Sequence, residues 1–94
     1  MANERIIRAV DFFNESNMTL MNGVYTKMLN GDREELVVMN DGNADLTITA
    51  GGIKNFKLKP GEVFDEEVNP FSKVEITATG PFRGYCREHA DSPN

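Results

Sequence analysis

The chain has a single cysteine, Cys86, so no internal disulfide can form and an oxidising compartment is not required. Histidine also occurs once, at His89, and tryptophan is absent. Cys86 and His89 stand three residues apart, but no second thiol or imidazole completes a metal set. A small buried thiol beside a polar chain end is the plainer reading. Without tryptophan, a stacking floor for a sugar would fall to Tyr25, Tyr85 or the phenylalanines. Long apolar runs are missing too. The longest, Leu36–Met39, is four residues, against the roughly 20 needed to span a bilayer. The opening MANERIIRAV places a charge pair where a signal peptide needs unbroken apolar sequence. The expectation is a chain made in the cytoplasm, with no signal peptide and no membrane partner. Basic residues are few, with 10 Lys and Arg against 15 Asp and Glu, a formal charge of −5 and a pI near 4.8. Such a field repels phosphate backbones and argues against nucleic acid as a partner.

Turn signals are what the chain has in abundance. Asn22-Gly23, Asn30-Gly31, Asp41-Gly42, Gly51-Gly52, Pro60-Gly61, Asn69-Pro70 and Gly80-Pro81 start 8, 11, 10, 9, 9 and 11 residues apart. A strand of about five or six residues plus its turn fills that interval. The pattern predicts an all-β fold: a single small antiparallel β-sandwich of about six to eight short strands.

Period-two alternation supports this reading from Gly31 onward. Leu46, Ile48 and Ala50 alternate with threonines, Phe56 and Leu58 with Asn55, Lys57 and Lys59, and Val74, Ile76 and Ala78 with Lys73, Glu75 and Thr77. Phe82, Gly84 and Cys86 alternate with Arg83, Tyr85 and Arg87. Leu36 to Met39 is apolar throughout, as expected of a strand covered on both faces. Asp41-Gly42 reads as a hairpin turn and Lys59–Glu62 as a type II turn. Glu66 shares the parity of Phe64, which predicts an edge or a bulge near 63–68.

The first thirty residues are ambiguous. Ile6, Ala9, Val10 and Phe13 lie on one helical stripe, with Asn3 as a possible cap, so a short N-terminal helix or an extended arm is expected over about 4–13. A strand over 24–29 pairing with 33–39 across Asn30-Gly31 is also expected. The organisation predicted is an arm and first strand over 1–30, a sandwich core over 31–88, and a flexible tail over 89–94.

No catalytic constellation emerges, and no cofactor or metal is expected. Asp41-Gly42-Asn43-Ala44-Asp45 has the first three ligand types of a calcium loop, but Leu46 stands where that loop needs glycine and Gly52 where it needs glutamate. Asp and Asn are equally what a loop selects for its own hydrogen bonds. Asp65 and Glu67 could face one side together, as paired carboxylates do in glycoside cleavage, but a solvated edge explains them. The Met-rich and aromatic N-terminal region is the strongest candidate for partner contact: Phe12, Phe13, Met18, Met21, Tyr25 and Met28. Arg83, Tyr85 and Arg87, on one parity, form a candidate ligand face.

From Val38 the sequence Val38-Met39-Asn40-Asp41-Gly42-Asn43-Ala44-Asp45-Leu46 resembles the opening of many Ig-like accessory domains, and Phe56–Glu62 resembles their Pro-Gly-Glu hairpin. The order of Ala44–Ala50, the Pro-Gly-Glu turn, Asn69–Gly80 and Phe82-Arg83-Gly84-Tyr85 is similar to that in small structural proteins of tailed bacteriophages of Gram-positive bacteria. The likeness covers about residues 35–87. It implies a β-sandwich akin to the shoulder of a receptor-binding protein, located in the virion, whose partners are other phage structural proteins, with self-association as a further possibility. It carries over no functional residues. The expected function is a non-enzymatic virion or tail-associated protein acting through protein–protein contacts. The alternative is an Ig-like ligand-binding module recognising cell-wall polysaccharide through Arg83, Tyr85 and Arg87.

Overall fold

The computed structural model describes residues 5–91. Seven strands form one antiparallel sheet: β1 (Arg5–Asn14), β2 (Thr19–Met21), β3 (Val24–Asn40), β4 (Leu46–Ala50), β5 (Ile53–Leu58), β6 (Val63–Thr77) and β7 (Phe82–Asp91). Their spatial order is β1-β7-β3-β6-β4-β5, with β2 pairing β3. The fold is all-β.

Two strands are far longer than the turn spacing predicts. β3 has 17 residues and β6 has 15. They pair twice, Val24–Met28 against Lys73–Thr77 and Glu35–Met39 against Val63–Glu67, with register shifts between. The expected turn at Asn30-Gly31 and the break at Asn69-Pro70 fall in this irregular middle. Pro70 cannot donate to a ladder and Gly31 has no side chain to pack, so both suit an irregular crossing. The expected pairing of 24–29 with 33–39 is therefore not formed. Both stretches belong to β3 and use β6 as their common partner.

The long strands divide the sheet into two halves. One contains β1, β7, the end of β3 and the start of β6; the other contains β2, the start of β3, the end of β6, β4 and β5. Their inner faces meet. Tyr25 of one half packs edge-on against Phe82 of the other, with ring centroids 5.1 Å apart, and Phe56 meets Phe64 at 5.3 Å. A single cluster contains Phe13, Leu36, Val38, Leu46, Ile48, Leu58, Phe64, Phe71, Val74, Ile76, Phe82 and Cys86. Burial pushes the Cys86 thiol up to about 11, so it stays protonated and unreactive at neutral pH.

The N-terminal segment adopts the extended alternative, not the helix. β1 pairs with β7 from Arg5↔Asp91 to Asn14↔Arg83, with a bulge between Val10 and Phe13. The polar end expected to be a tail is strand as far as Asp91. Asn3 and residues 92–94 lie outside the described residues.

Four of the turn signals act as predicted, Gly80-Pro81 among them, since it separates β6 from β7. Asn22 and Gly23 have φ of 52° and 80° and join β2 to β3, while Gly51 and Gly52 have 55° and 85° and join β4 to β5. These are the positive angles a two-residue hairpin needs. Pro60-Gly61 closes a turn in which the Glu62 amide donates to the Lys59 carbonyl at 3.0 Å. Asp41-Gly42 does not make a hairpin, because β3 and β4 are not partners. The loop crosses from one half to the other, held by Asn40.

Candidate binding surfaces

The bulge in β1 sets the geometry of the first surface. Asp11 has φ of 56°, and Arg33 Nε donates to its Oδ2 at 2.7 Å. The extra residue turns Phe13 into the core over Gly84 and leaves Phe12 outside, 61% exposed. Phe12 then lies beside Tyr85, ring centroids 5.5 Å apart at a 39° tilt. The Arg87 guanidinium stands 5.7 Å from the Tyr85 ring centre and donates to both oxygens of Asp65, at 2.5 and 3.1 Å. Val37 pairs with Tyr85 on one side and Asp65 on the other. Its parity opposes that of Leu36 and Val38, yet it is only 3% exposed. The Arg87–Asp65 span accounts for that, since an arginine stem and its planar head cover apolar surface well.

The Arg87 hydrogen bond holds the Asp65 carboxyl below the usual range, and the same bond raises the Arg87 guanidinium further. Arg87 also lies 3.8 Å from Glu35, which in turn contacts His89. Arg83 is bound to both oxygens of Asp41 at 2.6 and 3.2 Å, and that contact raises its pKa. The candidate ligand face is thus a real shared face, but both its arginines already have carboxylate partners. Asp41 and Asp45, the outer carboxylates of the calcium-like stretch, are likewise engaged, Asp45 lying 3.9 Å from Lys57.

The six candidate contact residues do not form one surface. Phe13 is core, and Met18 and Tyr25 are half-buried against the core cluster. Phe12 joins the Tyr85 face. Met21 and Met28 remain, 67% and 68% exposed. Met21 lies opposite Val24 and Thr19 opposite Thr26, so by alternation along β3 the two methionines share the outer face of the β2–β3 hairpin. Leu20, opposite Tyr25, lies on the other face of the hairpin yet is itself exposed. β2 has no strand on its far side among the described residues.

A third surface was not anticipated. A groove of about 750 Å³ runs between β5 and the start of β6, lined by Ile53, Phe56, Leu58, Val63 and Phe64 among others. Phe56 faces inward opposite Ile48 as its parity predicts, but β5 is the outermost strand and its ring stays exposed. The signal was the edge character read at Glu66. What the sequence did not disclose is that the consecutive strands β5 and β6 would splay apart instead of pairing.

Comparison with models of protein families, with curated proteins and with solved structures gives no match.

Proposed function

We propose that this chain is a non-enzymatic assembly component that acts through protein–protein contacts, with the outer face of the β2–β3 hairpin as its docking site. The observation that carries this reading is the pair Met21 and Met28, each about two-thirds exposed on one strand face. Water-exposed methionines on a strand face are adaptable contact residues, and a few anchors usually dominate the energy of an interface. The order of motifs from Ala44 to Tyr85, similar to that of small phage structural proteins, supports placing the partner among virion or tail proteins.

The test is co-expression with proteins encoded by neighbouring genes, followed by affinity capture and titration of any complex. A Met21→Ser/Met28→Ser double variant should weaken binding by at least about tenfold. Its melting should stay close to wild type, because exposed substitutions usually shift stability by about 0.5 kcal/mol or less. A stable double variant that binds as tightly as wild type would remove this face from the proposal.

The Phe12–Tyr85 pair beside the Arg87–Asp65 bridge favours one second reading, recognition of a cell-wall glycan. Aromatic rings can receive the apolar face of a sugar, and fixed guanidinium and carboxylate groups can hydrogen-bond its hydroxyls. Tyr85→Ala should then abolish binding in a cell-wall pull-down that wild-type protein passes. Binding that survives the substitution would sink this reading.

A further inference from the structure

The sheet has five unpaired edges among the described residues, and four of them are short or dense in charge. β2 is only three residues long. The free edge of β6 carries Asp65, Glu66 and Glu67, that of β5 carries Lys54 and Lys57, and that of β7 beyond Cys86 carries Arg87, Glu88 and His89. Short edges and charged edges resist pairing with another chain. β1 is the longest. It has 10 residues, no proline and no glycine, and its bulge falls only after Val10, so Arg5 to Val10 form an unbroken ladder with β7. That ladder carries two charges, Arg5 and Arg8, with the apolar pair Ile6-Ile7 between them, and Ile7 is 56% exposed.

This edge also sits on a slender part of the molecule. β7 pairs with β3 only from Phe82 to Cys86. Beyond Cys86 it pairs with β1 alone. Residues 5–9 and 87–91 therefore form a two-stranded ribbon, steadied by side chains: Arg33 to Asp11 at 2.7 Å, Arg33 to Glu88 at 3.5 Å, and Arg8 to Glu88 at 3.4 Å. A ribbon of two strands is marginal in water, and a third or fourth strand changes that.

We propose that β1 pairs antiparallel with the β1 of a second copy of this chain, joining two sheets across a two-fold axis. A strand edge laid antiparallel on itself is self-complementary by symmetry, so each copy supplies an edge of matching length and character. Charge rules out one register, and the exposed Ile7 favours another. Centring the pair on Arg8 would set two arginines directly opposite, which is unfavourable. Centring it on Ile7 sets the two Ile7 residues opposite and moves each Arg8 against position 6 of the other copy. The ribbon then becomes a four-stranded layer. This inference concerns a different edge from the methionine face, so either can fail without the other.

The experiment uses the purified full chain. Sedimentation velocity from low micromolar to near-millimolar concentration should show a monomer–dimer equilibrium, and Ile7→Lys should raise the dissociation constant at least about tenfold. Circular dichroism establishes that the variant stays folded. Independently, Ile7→Cys should form a disulfide-linked dimer on mild oxidation, because opposed antiparallel residues lie within about 4.5–5.5 Å. Arg8→Cys should cross-link far less. A protein monomeric throughout, assemblies larger than a dimer, a dimer indifferent to Ile7→Lys, or equal cross-linking at both positions would each overturn the proposal.

Discussion

Replacing Gly84 with valine is expected to leave no folded protein, and Gly84→Ala to lower stability by about 3 kcal/mol, the upper end for overpacking a core. A methyl group at Gly84 would stand 2.2 Å from Cζ of Phe13, 2.4 Å from its Cε1 and 2.6 Å from the Val37 carbonyl oxygen. The ring could retreat, but the carbonyl belongs to the adjacent strand of the ladder. Phe13 is itself buried and lies 6.5 Å from Phe82, centroid to centroid, so its retreat would disturb the centre of the core. Urea unfolding measures the loss. A Phe13→Leu change in the Gly84→Ala background should recover part of it, since residues in contact couple. Gly84→Ala costing less than about 1 kcal/mol would mean that Phe13 does not lie over Gly84.

Asn40→Ala is expected to cost about 3 kcal/mol, because it strands several buried partners at once. The side chain is almost wholly buried. Its amide donates to the Ala44 and Leu58 carbonyls, both at 2.9 Å, and its Oδ1 accepts from the Gly42 amide at 2.9 Å. Its backbone binds the next turn as well: the Asn40 amide donates to the Glu62 carbonyl at 3.1 Å, and the Asn40 carbonyl accepts from Gly61 at 2.9 Å. One residue thus fastens the 41–45 loop and the 59–62 turn to the end of β3. Asn40→Asp should be worse than alanine at neutral pH, since a buried carboxylate would face two carbonyl oxygens. Burial raises a carboxyl pKa, so that variant should regain stability as pH falls and the group becomes protonated. Thermal melts across an acid-to-neutral series measure both effects. An aspartate variant that weakens steadily on acidification, relative to wild type, would contradict this geometry.

The parts of the fold that the sequence disclosed are those governed by local rules. Leu46, Ile48 and Ala50 are buried, as strict alternation requires, and Asn22-Gly23 turns the chain because its φ angles suit a tight hairpin. The helical stripe at the N-terminus misled for an identifiable reason. Val10 and Phe13 both turn toward the core, three residues apart, because the bulge at Asp11 adds one residue to the strand. A bulged strand therefore imitates the spacing of a helix. The same bulge placed Phe12 on the Tyr85 face, which no local pattern announces. Asn30-Gly31 and Asn69-Pro70 failed as turns because long-range pairing between β3 and β6 outweighed local preference. On the candidate surfaces, the shared face of Arg83, Tyr85 and Arg87 was legible from parity. The exposure of Met21 and Met28 was not, since it depends on which face of the hairpin meets the core.

The two long strands leave this molecule without a seam. Each contributes backbone to both layers, and the ladder between residues 5 and 91 ties the start of the described chain to its end. Neither layer can melt while its neighbour persists, so amide exchange in the core should report a single global opening instead of two. Trimming the first 22 residues would take Phe13 and Val10 out of the interior, and the remainder should lose its order with them. Closing such distant pairings early in folding is entropically slow, which places the transition among the sluggish ones for a chain of this size.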